Sequence, residues 1–243
     1  MTTNLDDHVV AYQGNNIYDF DNELILKWYP HRVLARCDES KSLLELGLGH
    51  GFTTNIFSRH FGRHVVLDGS PAIIDRFKEE FPDCSVEIIE TYFENFETDE
   101  SFDVIVMGFI LEHVEDPITI LEKFRDKLNK NGKMYIAVPN AEVLNRRLGH
   151  AAGLLDDMCE LSEHDHLLGH KRYYTVESLT EDIEKTGYQV THLEGIYLKP
   201  LTTNQMLTLD LPESVVNAFC VAGIDYPELS CGILAEVIRG GSA

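Results

Sequence analysis

Between Lys41 and Asn140 short apolar runs alternate with segments of helical spacing, and few folds accept that alternation. "SLLELGL", "HVVLDGS", "SVEIIET", "FDVIVMGFI" and "KMYIAVPN" read as five strands, apolar on both faces and so suited to a buried parallel sheet. "GFTTNIFSRHF", "SPAIIDRFKEEF" and "DPITILEKFRDKLNKNG" lie between them with apolar residues at helical intervals. Ser70 and Asp116, each followed by proline, are expected N-caps, and Gly132 an expected helix end. The pattern predicts an α/β fold, a Rossmann-like doubly wound and mostly parallel sheet.

The flanks are less regular. Residues 1–40 hold a polar opening and the amphipathic stretch "DNELILKWYPHRVLARC", expected to break at Pro30 and to form a helical lid. Beyond an irregular segment at 141–172, "TVESLTEDIEKTG" reads as a helix and "YQVTHLEGI" and "CGILAEVIRG" as strands, the last of them antiparallel. Residues 195–230 form an excursion between those two strands, long enough to serve as a binding loop. With 243 residues, 44% of them hydrophobic, and no repeat or linker, the chain is expected to be one domain over 1–243: lid 1–40, core 41–140, and loops, a last helix and strands over 141–243.

The first strand leads into "LGLGHGF", where Gly47, Gly49 and Gly51 leave main chain bare at a strand-to-helix turn. Such a turn accepts positive φ and offers unpaired N–H groups to a ligand with a polar tail. The spacing is G-x-G-x-G, with Phe52 where the dinucleotide fingerprint wants its third glycine, which counts against a nicotinamide cofactor. Asp68 ends the second strand beside this loop, where a carboxylate can accept both hydroxyls of a ribose; the alternative is a cap for the next helix, a task Ser70 suits better.

In order and spacing these pieces resemble the class I S-adenosylmethionine (SAM) dependent methyltransferases, across roughly residues 41–193. "LLELGLGHG" is similar to that family's first motif, "VVLDGS" to its second-strand acid, "FDVIVMGFILEHVEDP" to its fourth-strand motif, and "LNKNGKMYIAVPN" to its fifth strand with the preceding glycine turn. The resemblance implies SAM as cofactor, with Gly47, Gly49 and Gly51 against its methionine part and Glu45 helping to hold the ammonium group. It implies Asp68 on the ribose, Gly69 and Ser70 near the adenine, and Phe109 to His113 lining the cleft under the methyl donor. Where many relatives place an aspartate on the adenine amino group this chain has Tyr92 and Phe93, so backbone groups or aromatic packing take over there.

A sulfonium methyl is already activated, so the protein must chiefly align an acceptor behind it and exclude water. An amine or hydroxyl acceptor must also lose a proton, a task that suits histidine. "SEHDHLLGHKRYYT" is rich in candidates, and its "GHKRYYT" resembles a stretch found at this place in many small-molecule methyltransferases. His170 is the leading base or substrate anchor, and His166 the second. Two other readings stand beside that one: His164, Asp165, His166 and His170 as metal ligands, which is disfavoured so that no metal is expected, and the same residues as surface or helix-capping groups. Tyr12 and Tyr18 from the lid, Lys171, Arg172 and Tyr173 beside His170, and Lys199 and Asn204 on the excursion are candidate acceptor contacts, the basic ones suited to phosphate. His113 serves either a ligand or the turn before Pro117.

Charge narrows the partners. Twenty Lys plus Arg against 41 Asp plus Glu give a net charge of −21, which repels nucleic-acid phosphate and favours a small-molecule acceptor. "MTTNLDDHVV" lacks the pattern of a secretory signal, no stretch is a membrane span, and five scattered cysteines read as reduced and mostly buried; the expected setting is the cytoplasm, as monomer or homodimer. The expected activity is methyl transfer to nitrogen, less readily oxygen, of a small polar amine or amino sugar, phosphorylated or nucleotide-linked. The rivals are a SAM-binding module without activity and an NAD-dependent oxidoreductase.

Overall fold

The computed structural model describes residues 17–37 and 41–241. Seven strands form one sheet in the order β3-β2-β1-β4-β5-β7-β6. β1 (Ser42–Leu46), β2 (Arg63–Asp68), β3 (Glu87–Glu90), β4 (Phe102–Gly108) and β5 (Leu128–Pro139) run parallel, and β7 (Gly232–Arg239) inserts antiparallel between β5 and β6 (Tyr188–Ile196). Strand order reverses between β1 and β4, which opens a crevice at their C-terminal ends.

Side chains that alternate along each strand go to opposite faces, and both faces are covered. Leu44, Leu46, Ile105 and Met107 pack with Ile120, Leu121 and Phe124 of α4 (Pro117–Arg125) and with Leu179 and Ile183 of α7 (Val176–Lys185). Leu43, Val104, Val106 and Tyr135 point the other way, onto Ile25, Tyr29 and Val33 of α1 (Asp19–Leu34), Phe57 of α2 (Phe52–Phe57) and Cys220 of α9 (Glu213–Gly223). α3 (Pro71–Glu80) covers β2 with Ile73, Ile74 and Phe77. Two caps stand where the sequence puts them: Ser70 Oγ accepts from Ile73 N–H at 3.2 Å, and Asp116 Oδ1 accepts from Ile118 N–H at 3.0 Å.

Three expectations are corrected. Pro30 does not break the first helix, which continues to Leu34; one main-chain hydrogen bond is forfeited, while Tyr29, Pro30 and Val33 are buried. The helix after Asp116 ends at Arg125 and not at Gly132, because Leu128 already pairs with Phe102 and the register then jumps to Val104–Lys133. Of the five cysteines, all free thiols, Cys220 alone is fully buried and Cys159 is exposed. The irregular segment holds α5 (Leu144–Ala151) and α6 (Glu163–Leu168), and the excursion holds α8 (Thr203–Thr208) ahead of α9. Among the described residues no helix is long and apolar enough to cross a membrane.

Candidate active site

The crevice opens into a cavity of about 490 Å³, the size range of small-molecule sites. One end is the turn from β1 to α2. Asp68 at the tip of β2 shapes that turn, since its Oδ2 accepts from Leu48 N–H at 2.9 Å and its Oδ1 from Ser70 N–H at 2.8 Å. Asp68 also lines the cavity, which puts a carboxylate beside the bare main chain of the turn. Gly47, Gly49, Gly51, Gly69, Ser70 and Phe93 line the same end. Gly51 has a second reason to be glycine: with φ +78°, a Cβ there would stand 2.6 Å from Phe81 and 2.7 Å from Phe77.

The wall comes from β4 and α1. Phe109, just past β4, is a non-glycine residue at φ 59°, a strained conformation of the kind concentrated at functional sites. Tyr29 packs edge-on to the Phe109 ring at 5.8 Å, and its hydroxyl occupies the space that a Cβ on Gly108 would need. Tyr18 stacks on His164 of α6 at 4.2 Å and so joins the start of α1 to α6, both residues lining the cavity.

The other end holds Glu112, His113, Asp165, His170 and Tyr173. His170 Nδ1 is 3.1 Å from Asp165 Oδ1, an ion-pair approach without the alignment of a hydrogen bond. Asp165 Oδ2 accepts from Ser162 N–H at 2.7 Å and from the Tyr173 hydroxyl at 2.8 Å. Burial would raise the Asp165 pKa, but His170, Ser162 and Tyr173 outweigh it and hold this carboxyl well below the usual range. Glu112 is wholly buried, and burial pushes it up to about 7 against the opposing charges of His170 and Arg172. The His113 and His170 rings meet edge to face at 4.7 Å.

Of the residues singled out in the sequence, Gly47, Gly49, Gly51, Asp68, Gly69, Ser70, Phe93, Phe109, His113, Tyr18, His170, Tyr173, Lys199 and Asn204 share this cavity. Others lie elsewhere. Glu45 sits beneath the loop, its oxygens taken by Thr53 at 2.8 Å and His64 at 2.9 Å, so it braces the turn from inside the sheet. Tyr92 is outside the lining and 38% exposed, and His166 faces solvent from α6. Lys171 pairs with Glu115, and Arg172 caps the carbonyls of Leu111, Val114 and Glu115; free carbonyls at the turn after β4 draw it away from the cavity. Tyr12 lies outside the described residues. Lys199 lines the cavity but is engaged, with Asp21 Oδ2 at 2.6 Å and Thr203 Oγ1 at 2.8 Å. Tyr29, Asp21, Asn140 and Asn145 also line it, and nothing in their local sequence marked them beyond helical spacing on the lid.

Comparison with known proteins settles the family. A family model described as "Methyltransferase domain" matches residues 20–193. This chain belongs to the class I SAM-dependent methyltransferases. It is 24% identical over 191 residues to the mitochondrial ubiquinone biosynthesis O-methyltransferase of Schizosaccharomyces pombe, covering 73% of this chain and 65% of that one. It is 32% identical over 117 residues to the ubiquinone biosynthesis O-methyltransferase of Parvibaculum lavamentivorans, covering 46% and 43%. Both matches span less than two thirds of those relatives' own length. In fold the methyltransferase is similar to the N-methyltransferase NodS of Bradyrhizobium japonicum, solved with S-adenosylhomocysteine (SAH), at TM-score 0.61 and 15% identity over 99% of this chain and 100% of that one. SAM is the family's methyl donor, and the bare main chain of the turn, the Asp68 carboxylate and the cavity size suit it.

Proposed function

We propose that this methyltransferase places SAM over the Gly47–Gly51 turn, with its ribose on Asp68, and transfers the methyl to a small, polar, unphosphorylated acceptor at the His170 end. The observation that carries this reading is the continuity of one cavity from Asp68 to His170. Bound there, SAM supplies an electrophilic sulfonium methyl. The chain's own residues orient the acceptor, shut out water and receive a proton, and orientation alone can be worth about 7–11 kcal/mol.

Oxygen is the favoured acceptor atom. Nitrogen is the expectation from the sequence, but the structure sets His170 against Asp165, a pair suited to activating a hydroxyl. Nitrogen is the second reading, supported by Glu112 in the lining, whose carboxylate oxygens have no hydrogen-bond partner and suit an amine donor. Phosphate finds little welcome, since the lining's basic side chains, Arg146 and Lys199, already serve the carbonyls of Met158 and Glu160 and the carboxylate of Asp21.

Calorimetry with SAH tests the donor site. Asp68→Ala is expected to weaken SAH by about 10- to 100-fold, the worth of charged hydrogen bonds at about 1.5–3 kcal/mol. Unchanged affinity places the cofactor elsewhere. Mass spectrometry of candidate catechols, other small hydroxylated compounds and amines incubated with SAM then reads the acceptor, and transfer to a phosphorylated substrate alone would refute the assignment.

A further inference from the structure

Glu112 lies at the acceptor end with no solvent exposure, and neither carboxylate oxygen has a hydrogen-bond partner. A buried carboxyl in that state calls for a cation or a donor. His113 follows it on the same turn, and His170 arrives from the segment after α6, so that one ligand atom from each of the three lies within 4.8 Å of the others. Bonds of about 2.0–2.2 Å to a tetrahedral ion draw such atoms to roughly 3.3–3.6 Å, a contraction within reach of side-chain rotation. Asp165, 3.1 Å from His170 Nδ1, is the kind of outer carboxylate that fixes the ring of a metal-binding histidine. One carboxylate with two imidazoles suits Zn²⁺, Mn²⁺ or Fe²⁺ better than Mg²⁺ or Ca²⁺, which prefer oxygen throughout. All three residues line the cavity, so the remaining coordination positions face the acceptor.

We infer that Glu112, His113 and His170 form a divalent-metal site that receives the acceptor's hydroxyl oxygen. The group differs from the one weighed in the sequence, since His166 faces away and Asp165 stands behind His170. The inference deepens the proposed function and rests on it. Coordination makes the hydroxyl acidic, and its proton passes to solvent. An oxygen lone pair then forms the O–C bond as the C–S bond breaks, and the bonding pair returns to sulfur, which becomes a neutral thioether. His170, the base of the metal-free reading, here serves as a ligand, so that solvent takes the proton in its place, and Asp165 is its positioning residue.

The full chain, dialysed against EDTA and then freed of it, is titrated with MnCl2 and separately with ZnCl2 in calorimetry, with and without SAH. One ion per chain is expected at micromolar affinity, weakened at least about tenfold by Glu112→Gln and by His170→Asn, with SAH affinity held within about twofold. Pulsed EPR of the wild-type Mn²⁺ form, which needs no variant, is expected to show imidazole nitrogen coupling. No saturable binding, binding that both variants leave intact, or no nitrogen coupling overturns the site. If SAH binds in that event, the donor reading stands and the metal alone is lost; if SAH does not bind the wild type, the donor reading itself falls.

Discussion

Gly51 shows how a single residue can serve packing and ligand at once. Its φ of +78° lies in the left-handed region, and the space a side chain would need is filled by Phe77 and Phe81. Gly51→Ala is therefore expected to lose about 2–4 kcal/mol, combining the left-handed penalty with overpacking, in urea unfolding. The same substitution should weaken SAH, because the turn cannot keep its path. Residue-scale chemistry was only partly legible in the sequence. Gly47, Gly49, Gly51 and Asp68 are read from local spacing, since strand, turn and helix are adjacent in the chain. Glu45 shares that motif and yet points into the sheet, because Thr53 and His64 are the donors within its reach.

Between elements, polar links fasten α1 across the molecule. Arg32 grips Glu194 of β6 with two hydrogen bonds of 2.7 and 2.9 Å, and Asp21 meets Lys199 and Thr203 beside α8. The Asp21–Lys199 pair is buried, so removing one partner strands the other's charge. Lys199→Met is expected to destabilise by about 3–5 kcal/mol, and Asp21→Asn combined with Lys199→Met by much less than the sum, in a denaturant double-mutant cycle. Nothing read along the chain hints at this pairing, whose members are far apart and sit on a helix and a loop with separate local logic. For the same reason Glu112, in the fourth-strand motif, could not be joined to His170 by reading along the chain, nor could Arg172 be seen turning back to the carbonyls at 111, 114 and 115. The central strands were legible because their periodicity reflects burial on two faces; the tail of α4 was not, because "DKLNKNG" suits a helix locally and is claimed by pairing with Phe102.

At the scale of the whole molecule, Glu236 is a hub for three regions. It accepts from Arg36 at 2.9 Å, Tyr135 at 3.0 Å and Thr191 at 3.0 Å, and pairs with Lys133 at 3.2 Å, with Cys37 adjoining the Tyr135 hydroxyl. Burial alone would raise its pKa, but Arg36, Thr191, Lys133 and Tyr135 hold it at about 2, below its ordinary 4.5. A depressed folded-state pKa contributes stability above the unfolded value that fades as protons bind the folded form. The stability gap between wild type and Glu236→Gln is therefore expected to be full above about pH 4.5 and to shrink as pH falls toward about 2, as read by denaturant midpoints across that range.

The Tyr29 hydroxyl resting in the notch at Gly108 sets an order of events. The helix that carries Tyr29 is made before its seat, which exists only once the fourth strand has been made and laid beside the first. Until then the crevice lacks a wall, so a nascent chain cut short of Gly108 has the glycine turn and no enclosure in which to hold a nucleoside.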